Sequence, residues 1–261
     1  MFQRHKRLIV IIAILVFVII ISLLWGRKSM APANSQTNQQ TTQNHTSNDS
    51  HSVAPDSFNK KMYSIDDPTS QWVVVNKQRA LPTGYAPSYL VSPVVPLSGA
   101  KGSENMLVSG TMSDSLKRLV DGAKQAGYNL TLVSGYRSYN TQIAVYGREV
   151  KNGGVAGADR VSARPGHSEH QTGFAADLGA TSGKCTLDAC FGTTLEGQWL
   201  AAHAHDYGFI IRYPLGKQPI VGYAYEPWHV RFVGTELSNE LFKTGQTMEE
   251  FFGLPAAPDY N

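Results

Sequence analysis

An uncharged apolar run lies near the amino end of the chain, from Leu8 to Trp25, and it limits where the rest of the chain can fold. Its 18 residues are just enough for a helix that crosses a bilayer. Three positive charges lie in residues 1–7 and two follow the run, and this excess predicts a cytoplasmic amino terminus with the rest of the chain outside. A cleaved signal peptide is the alternative, because Ala31-Pro-Ala33 loosely resembles a processing site. An uncleaved single-pass anchor over residues 8–25 is favoured, because that tripeptide lies beyond two cations and contains a proline.

The segment 26–67 differs in composition from the residues after it. Over residues 29–57 it is rich in Ser, Thr, Asn and Gln and has almost no large apolar side chain, so we expect a disordered polar linker. Residues 68–261 contain apolar and aromatic segments throughout and predict one compact domain. Because five positive charges lie in residues 1–28 and the whole chain carries +3, the remainder has a net charge of −2. A nucleic-acid partner is therefore disfavoured.

The predicted domain mixes strands and helices without regular alternation, which favours an α+β fold over a doubly wound sheet. Capping boxes at Thr111–Asp114 and Thr193–Glu196 predict two helix starts, and Ser138 is expected to cap another helix. Closing helices are expected over 235–243 and 247–252, and strands over 72–75, 128–134, 174–178, 209–213 and 228–233.

Two histidines and an aspartate form the strongest chemical pattern. His170 and Asp177 stand at positions three and ten of the stretch 168–177, and His229 follows about fifty residues later. Two imidazoles and a carboxylate are typical of catalytic zinc sites, which keep one position for water. A regular strand would send His170 and Asp177 to opposite faces, so we expect Gly173 to break the chain between them. The prediction is a Zn²⁺ site with His170 in a loop and Asp177 on a strand.

Glu226 precedes His229 by three residues in the sequence Glu-Pro-Trp-His. Alternation along the predicted strand puts His229 on the face opposite Trp228, and Pro227 cannot donate a ladder hydrogen bond. That break lets Glu226 turn toward the same point as His229. A carboxylate beside the metal that does not bind it can take a proton from water. Glu226 is therefore the predicted general base.

Arg137 and Gln142 belong to a second pattern, at the junction of a predicted strand and helix. The planar guanidinium of Arg137 suits a carboxylate or a developing oxyanion. Without the metal pattern, a surface ion pair for Arg137 and a solvated amide for Gln142 would be the simpler interpretation. With the metal pattern present, we expect both residues to act on a substrate.

Cys185 and Cys190 bracket a short polar loop. Outside the membrane we expect them to form a disulfide with each other. A zinc-binding role is disfavoured, because two thiols so close in sequence have no second pair.

These motifs resemble those of VanY-type D-alanyl-D-alanine carboxypeptidases. The resemblance covers about residues 70–255, and it is carried by Ser-Gly-Tyr-Arg-Ser at 134–138, Ser-Glu-His-Gln-Thr-Gly-x-Ala-x-Asp at 168–177 and Glu-Pro-Trp-His at 226–229. It implies an α+β domain around a small, mostly antiparallel sheet with zinc at one edge. It implies that Arg137 polarises the scissile carbonyl, and that three further residues contact the substrate: Ser168, Gln142 and Trp228.

The function implied by the resemblance is that of a D-alanyl-D-alanine carboxypeptidase, which removes the C-terminal D-alanine from peptidoglycan stem peptides. The predicted anchor places the enzyme on the cell-wall side of the membrane, and we expect a monomer. The sequence leaves open whether the preceding residue is D-alanine or the L-centre that an L,D-carboxypeptidase recognises in tetrapeptides. A catalytically silent wall-binding module and a general zinc endopeptidase are further alternatives. The intact Glu226 and the full ligand set argue against the silent module.

Overall fold

The computed structural model describes residues 58–260. The predicted transmembrane segment 8–25 and the linker as far as residue 57 lie outside these residues. Within residues 58–260, no helix combines the length and the apolar character that crossing a membrane requires.

The described residues contain two antiparallel sheets and six α-helices. The strands are β1 (Leu90–Val91), β2 (Val108–Ser109), β3 (Leu130–Ser134), β4 (Ala175–Ala180), β5 (Phe209–Tyr213) and β6 (Glu226–Phe232). The helices are α1 (Gly110–Gln125), α2 (Tyr139–Val161), α3 (Leu195–His203), α4 (Gln218–Val221), α5 (Thr235–Thr244) and α6 (Met248–Phe252). This mixture confirms the predicted α+β class.

The larger sheet has the strand order β3-β4-β6-β5, and every neighbouring pair is antiparallel. Side chains alternate between its two faces, as strand geometry requires. Leu178 of β4 and Val230 of β6 face the main core, which they share with α1. Asp177 and His229 therefore project from the opposite face. This alternation separates the apolar core from the polar face of the sheet.

Helix α1 covers the apolar face because its buried residues recur at helical spacing. They are Met112, Ser115, Leu116, Leu119, Val120 and Ala123. The cap of this helix is Ser109, whose hydroxyl accepts from the backbone N–H of Thr111, so the cap precedes the predicted box by two residues. Thr194, one residue later than predicted, caps α3, whereas Ser138 caps α2 as predicted.

The strand predicted at 72–75 is wrong. Trp72 lies in a turn and residues 73–75 have no regular secondary structure, so the segment does not join a sheet. Its alternating side chains pack on two sides, with Trp72 and Val74 against α5 and α6 and the other two valines against Leu81. The carbonyl oxygens of Val73 and Val74 accept from the guanidinium groups of Arg231 and Arg79, at 2.8 and 3.1 Å. Guanidinium donors thus take the place of a neighbouring strand.

Residues 58–67, assigned to the linker from composition, pack against the domain. The ring of Phe58 stacks on Trp72 with 5.6 Å between centroids and meets Phe251 edge-on at 5.2 Å. Ile65 packs against the same cluster. These contacts, together with the edge-on contact of Tyr63 with Trp72 at 5.1 Å between centroids, hold a stretch whose average composition is polar.

Candidate active site

A short 3-10 turn, Glu169–Thr172, precedes β4 and presents His170. Gly173 follows in the left-handed region, with φ 73° and ψ 1°, a conformation that glycine adopts without steric cost. The chain then enters β4, whose third residue is Asp177. The predicted break at Gly173 is confirmed, and it allows two residues at an odd interval to point to one place.

Asp177 and His229 are direct cross-strand partners on the two central strands, β4 and β6. Paired residues of an antiparallel ladder project on the same face, with Cβ atoms about 4.5–5.5 Å apart. The Asp177–His229 pair is the last pair of its ladder. The resemblance implies a site at an edge of the sheet, whereas the structure has it at the end of the central ladder.

His170, Asp177 and His229 each offer one ligand atom, and these atoms lie within 4.8 Å of one another. One oxygen of Asp177 lies 3.2 Å from Nε2 of His170, and the other lies 3.1 Å from Nδ1 of His229. The three side chains are 4–7 % exposed. Two imidazole nitrogens and a carboxylate oxygen, converging in a buried position, suit a zinc ion.

The outer nitrogen of each imidazole is hydrogen bonded. Nδ1 of His170 lies 2.6 Å from the carbonyl oxygen of Gly135, and Nε2 of His229 lies 3.3 Å from a carboxylate oxygen of Glu169. Because a carbonyl and a carboxylate only accept, each outer nitrogen carries a proton. The inner nitrogens face Asp177, and they are the ones that can bind a cation once they carry no proton, an arrangement common to metal-binding histidines.

Burial and neighbouring charges set the pKa values of the three predicted ligands, and so their protonation states. Burial lowers the pKa of His170 below its ordinary value. Burial also acts to lower the pKa of His229, but hydrogen bonds with Asp177 and Glu169 outweigh it and raise this pKa to about 9. Burial acts to raise the pKa of Asp177, yet the neighbouring histidines hold it well below its usual range. Asp177 is thus an anion at neutral pH.

Glu226 reaches the same point from the first position of β6. Its Oε2 lies 3.8 Å from Nδ1 of His229, and its side chain is 17 % exposed. Burial raises the pKa of Glu226 to about 7, because the opposing effect of His229 is smaller. A carboxyl group with this pKa can both take and release a proton near neutral pH.

Arg137 lines the same cavity as the three predicted ligands. Its guanidinium donates to Gln142 Oε1 at 3.1 Å and to Ser134 Oγ at 3.2 Å. Gln142 is fully buried and does not line the cavity, and its Nε2 donates to the carbonyl oxygen of Ala163 at 2.6 Å. The expected direct substrate contact of Gln142 is therefore wrong in this structure. Its amide holds Arg137 instead.

The cavity over the site has a volume of about 240 Å³. Ser168 and Trp228 line it, and their contact with a substrate stays a prediction. Tyr213 also lines it, with its ring 4.8 Å from the ring of His229. Sequence reasoning missed Tyr213, which lies on a separate strand without a recognisable motif. It also missed Glu169, although that residue stands inside the stretch that contains His170.

The loop between Cys185 and Cys190 is closed by a disulfide. Cys185 and Leu187 have positive φ values of 56° and 52°, which residues other than glycine rarely adopt. Leu187 lines the cavity. The disulfide loop is therefore part of the wall of the site.

Comparison with known proteins agrees with this geometry. A family model described as "D-alanyl-D-alanine carboxypeptidase", VanY, matches residues 105–235. The putative carboxypeptidase YodJ of Bacillus subtilis strain 168 is 40 % identical over 225 residues, which are 83 % of this chain and 82 % of that protein.

Two solved structures illustrate the range of similar proteins. The LdcB LD-carboxypeptidase is 42 % identical with a TM-score of 0.68, and the match covers 71 % of this chain and 87 % of that one. A variant of the vancomycin resistance D,D-pentapeptidase VanY from a VanB-type cassette, in complex with Zn(II), is 30 % identical with a TM-score of 0.57. That match covers 69 % of this chain and 97 % of the other. The chain belongs to the VanY family of D-alanyl-D-alanine carboxypeptidases.

Proposed function

We propose that this protein is a zinc-dependent carboxypeptidase that removes a C-terminal D-alanine from peptidoglycan stem peptides. The observation that carries the proposal is the convergence of His170, Asp177 and His229, within 4.8 Å of one another, beneath a cavity that also contains Glu226 and Arg137. Three of these groups would hold the metal, Glu226 would transfer a proton, and Arg137 would bind the developing negative charge.

His170, Asp177 and His229 would hold the zinc ion. The donor set fits, because each ring holds its outer nitrogen in a hydrogen bond and turns its inner nitrogen toward the ionised carboxylate. A similar structure contains Zn(II). When bound in such a site, zinc polarises a carbonyl oxygen and makes water more acidic.

Glu226 moves the proton in the proposed reaction. With its pKa raised to about 7, its carboxylate takes a proton from the attacking water and passes it to the leaving amine of D-alanine. Arg137 binds the carbonyl oxygen of the scissile bond, where negative charge develops. Ser134 and Gln142 hold its guanidinium, so this donor is oriented before the substrate arrives.

The residue before the terminal D-alanine separates two candidate reactions. The family description favours the D,D-reaction on pentapeptides. The greater identity to the LD-carboxypeptidase, 42 % against 30 % for the D,D-pentapeptidase, favours the L,D-reaction on tetrapeptides. We propose the L,D-reaction as the preferred one and the D,D-reaction as the second candidate.

We also propose that the domain acts outside the cell, attached to the membrane by segment 8–25. The uncharged apolar run and the excess of positive charge before it support this placement. The disulfide between Cys185 and Cys190 supports an oxidising compartment. A wall substrate would lie within reach of such an enzyme.

The test is release of D-alanine by the full chain from a stem tetrapeptide and a stem pentapeptide, with zinc or with a chelator. Release that the chelator abolishes supports the proposal, and faster release from the tetrapeptide supports the L,D-preference. If neither peptide loses alanine with zinc present, the protein only binds the wall. Cleavage of the same peptides with amidated C-termini would indicate an endopeptidase.

A further inference from the structure

Glu169 is a fully buried carboxylate that the proposed reaction does not use, and it lies between two residues of the cavity, Ser168 and His170. Its Oε1 accepts from Arg231 Nη1 at 2.7 Å and from Arg212 Nε at 2.8 Å. Its Oε2 lies 3.3 Å from Nε2 of His229. The two oxygens therefore have different partners. Oε1 accepts from two guanidinium groups, and Oε2 accepts from the outer nitrogen of a predicted metal ligand.

The two arginines are themselves held by further contacts. Arg212 forms a two-pronged pair with Glu249, at 2.6 and 2.9 Å. Arg231 donates to the backbone carbonyl oxygens of Val73 at 2.8 Å and Gln71 at 3.0 Å. The positive charges of the two arginines balance the negative charges of the two glutamates, and this balance offsets the cost of burying charged groups away from water. This network fixes the position and the rotation of the Glu169 carboxylate.

A fixed carboxylate at this point decides which nitrogen of His229 carries the proton. Because an ionised carboxylate only accepts hydrogen bonds, Nε2 must donate to it. Nδ1, which faces Asp177 at 3.1 Å, is then the nitrogen that gives up its proton when a cation binds. The ring of Tyr213 packs against the ring of His229, but stacking does not distinguish the two nitrogens.

We infer that Glu169 is a positioning residue, which fixes the rotation and the tautomer of His229 so that Nδ1 is the nitrogen that binds the metal. This inference rests on the zinc site of the proposed function. The same 3-10 turn then has two roles, since it presents His170 and orients His229 through the residue just before it.

The test compares zinc affinity in the full chain for two matched variants, Glu169→Gln and Glu249→Gln. Both remove one charge from the buried network and weaken a contact with Arg212. In Glu169→Gln the amide oxygen stays with the guanidinium donors, so the NH₂ group turns toward Nε2 of His229 and favours the wrong tautomer. The expected result is a loss of zinc affinity of about 10- to 100-fold for Glu169→Gln. Glu249→Gln leaves the Glu169 carboxylate with both of its arginine donors, so its loss of zinc affinity is expected to be much smaller.

A competing chelator gives these affinities without any activity measurement. Equal zinc affinity in Glu169→Gln and the wild type would overturn the inference alone, and so would an equal loss in both variants. If the wild-type chain binds no zinc, the proposed function itself fails.

A second measurement needs no variant, so it tests the inference even if Glu169→Gln does not fold. In the zinc-loaded wild type with ¹⁵N-labelled histidine, NMR should show His229 protonated at Nε2 and metal-bound at Nδ1. Metal at Nε2 would overturn the inference.

Discussion

Oε2 of Glu226 lies 3.8 Å from Nδ1 of His229, although three residue steps along β6 separate the two residues. In a regular strand, residues three apart point to opposite faces. The register of β5 against β6 explains why Glu226 and His229 nevertheless point to the same place. Ile211 pairs with Val230, but Tyr213 pairs with Glu226. Between these pairs β5 has one residue and β6 has three, so an irregularity in β6 brings the predicted base to the metal site.

Replacing Glu226 with Gln should remove proton transfer and leave the metal site intact. The amide keeps the size of the side chain but cannot take a proton. We expect kcat to fall about 10²- to 10⁴-fold, which is the usual contribution of a general base. Metal analysis should show the same zinc content as in the wild type. A variant that retains zinc and turns over at the wild-type rate would contradict the assignment of Glu226 as the base.

Zinc affinity should depend on pH through His229. In the metal-free protein the pKa of His229 is raised to about 9, so at pH 7 the ring carries a proton that zinc must displace. The zinc-bound form therefore holds fewer protons, and raising the pH favours it. The affinity should rise about tenfold per pH unit from about pH 7 and level off near pH 9. Chelator-competition titrations at several pH values would show this slope, and a flat profile would contradict it.

The sequence predicted those parts of the molecule whose residue pattern matches one local structure. Helix α1 is an example, since its apolar residues recur at helical spacing and a glycine follows it. His170 and Asp177 are another, because the odd interval between them requires a break and Gly173 can supply it. In both cases the signal lies within about twenty residues of sequence.

The parts that sequence analysis missed depend on contacts between distant segments. The segment 72–75 has the aromatic and β-branched composition of a strand, but guanidinium groups more than a hundred residues away satisfy part of its backbone. Glu169 has its role only because Arg212, Arg231 and His229 converge on it. No local pattern indicates such a network, because each of its members is also compatible with an exposed position.

Replacing Gln142 with Leu should weaken the reaction through Arg137. The change removes the acceptor for the guanidinium at 3.1 Å and leaves the carbonyl oxygen of Ala163 without its donor. We expect a loss of about 1–3 kcal/mol in the free energy of unfolding for the unsatisfied buried group. A mispositioned Arg137 should lower kcat/KM by about 10- to 100-fold. Zinc content should not change.

Urea unfolding and steady-state kinetics would measure both effects of Gln142→Leu. Ile143→Ala is a suitable control, because Ile143 is the next residue of α2 and is 50 % exposed. The control should be close to the wild type in both measurements. Wild-type kcat/KM in Gln142→Leu would show that Arg137 does not depend on this amide.

Gly135 should not tolerate a side chain, because a Cβ atom there would lie 2.2 Å from the carbonyl oxygen of Leu107. Both positions are fixed, since Tyr136 donates to that same oxygen at 2.6 Å and Gly135 accepts from Nδ1 of His170. Gly135→Ala must therefore displace the backbone that orients His170. We expect the free energy of unfolding to fall by about 1–3 kcal/mol and zinc affinity to fall with it.

Gly147→Ala is the control, because nothing lies within 4 Å of its Cβ and alanine stabilises a helix interior by about 0.5–1 kcal/mol. Urea unfolding in chelator and zinc competition would test both variants, and wild-type zinc affinity in Gly135→Ala would show that His170 does not depend on this carbonyl.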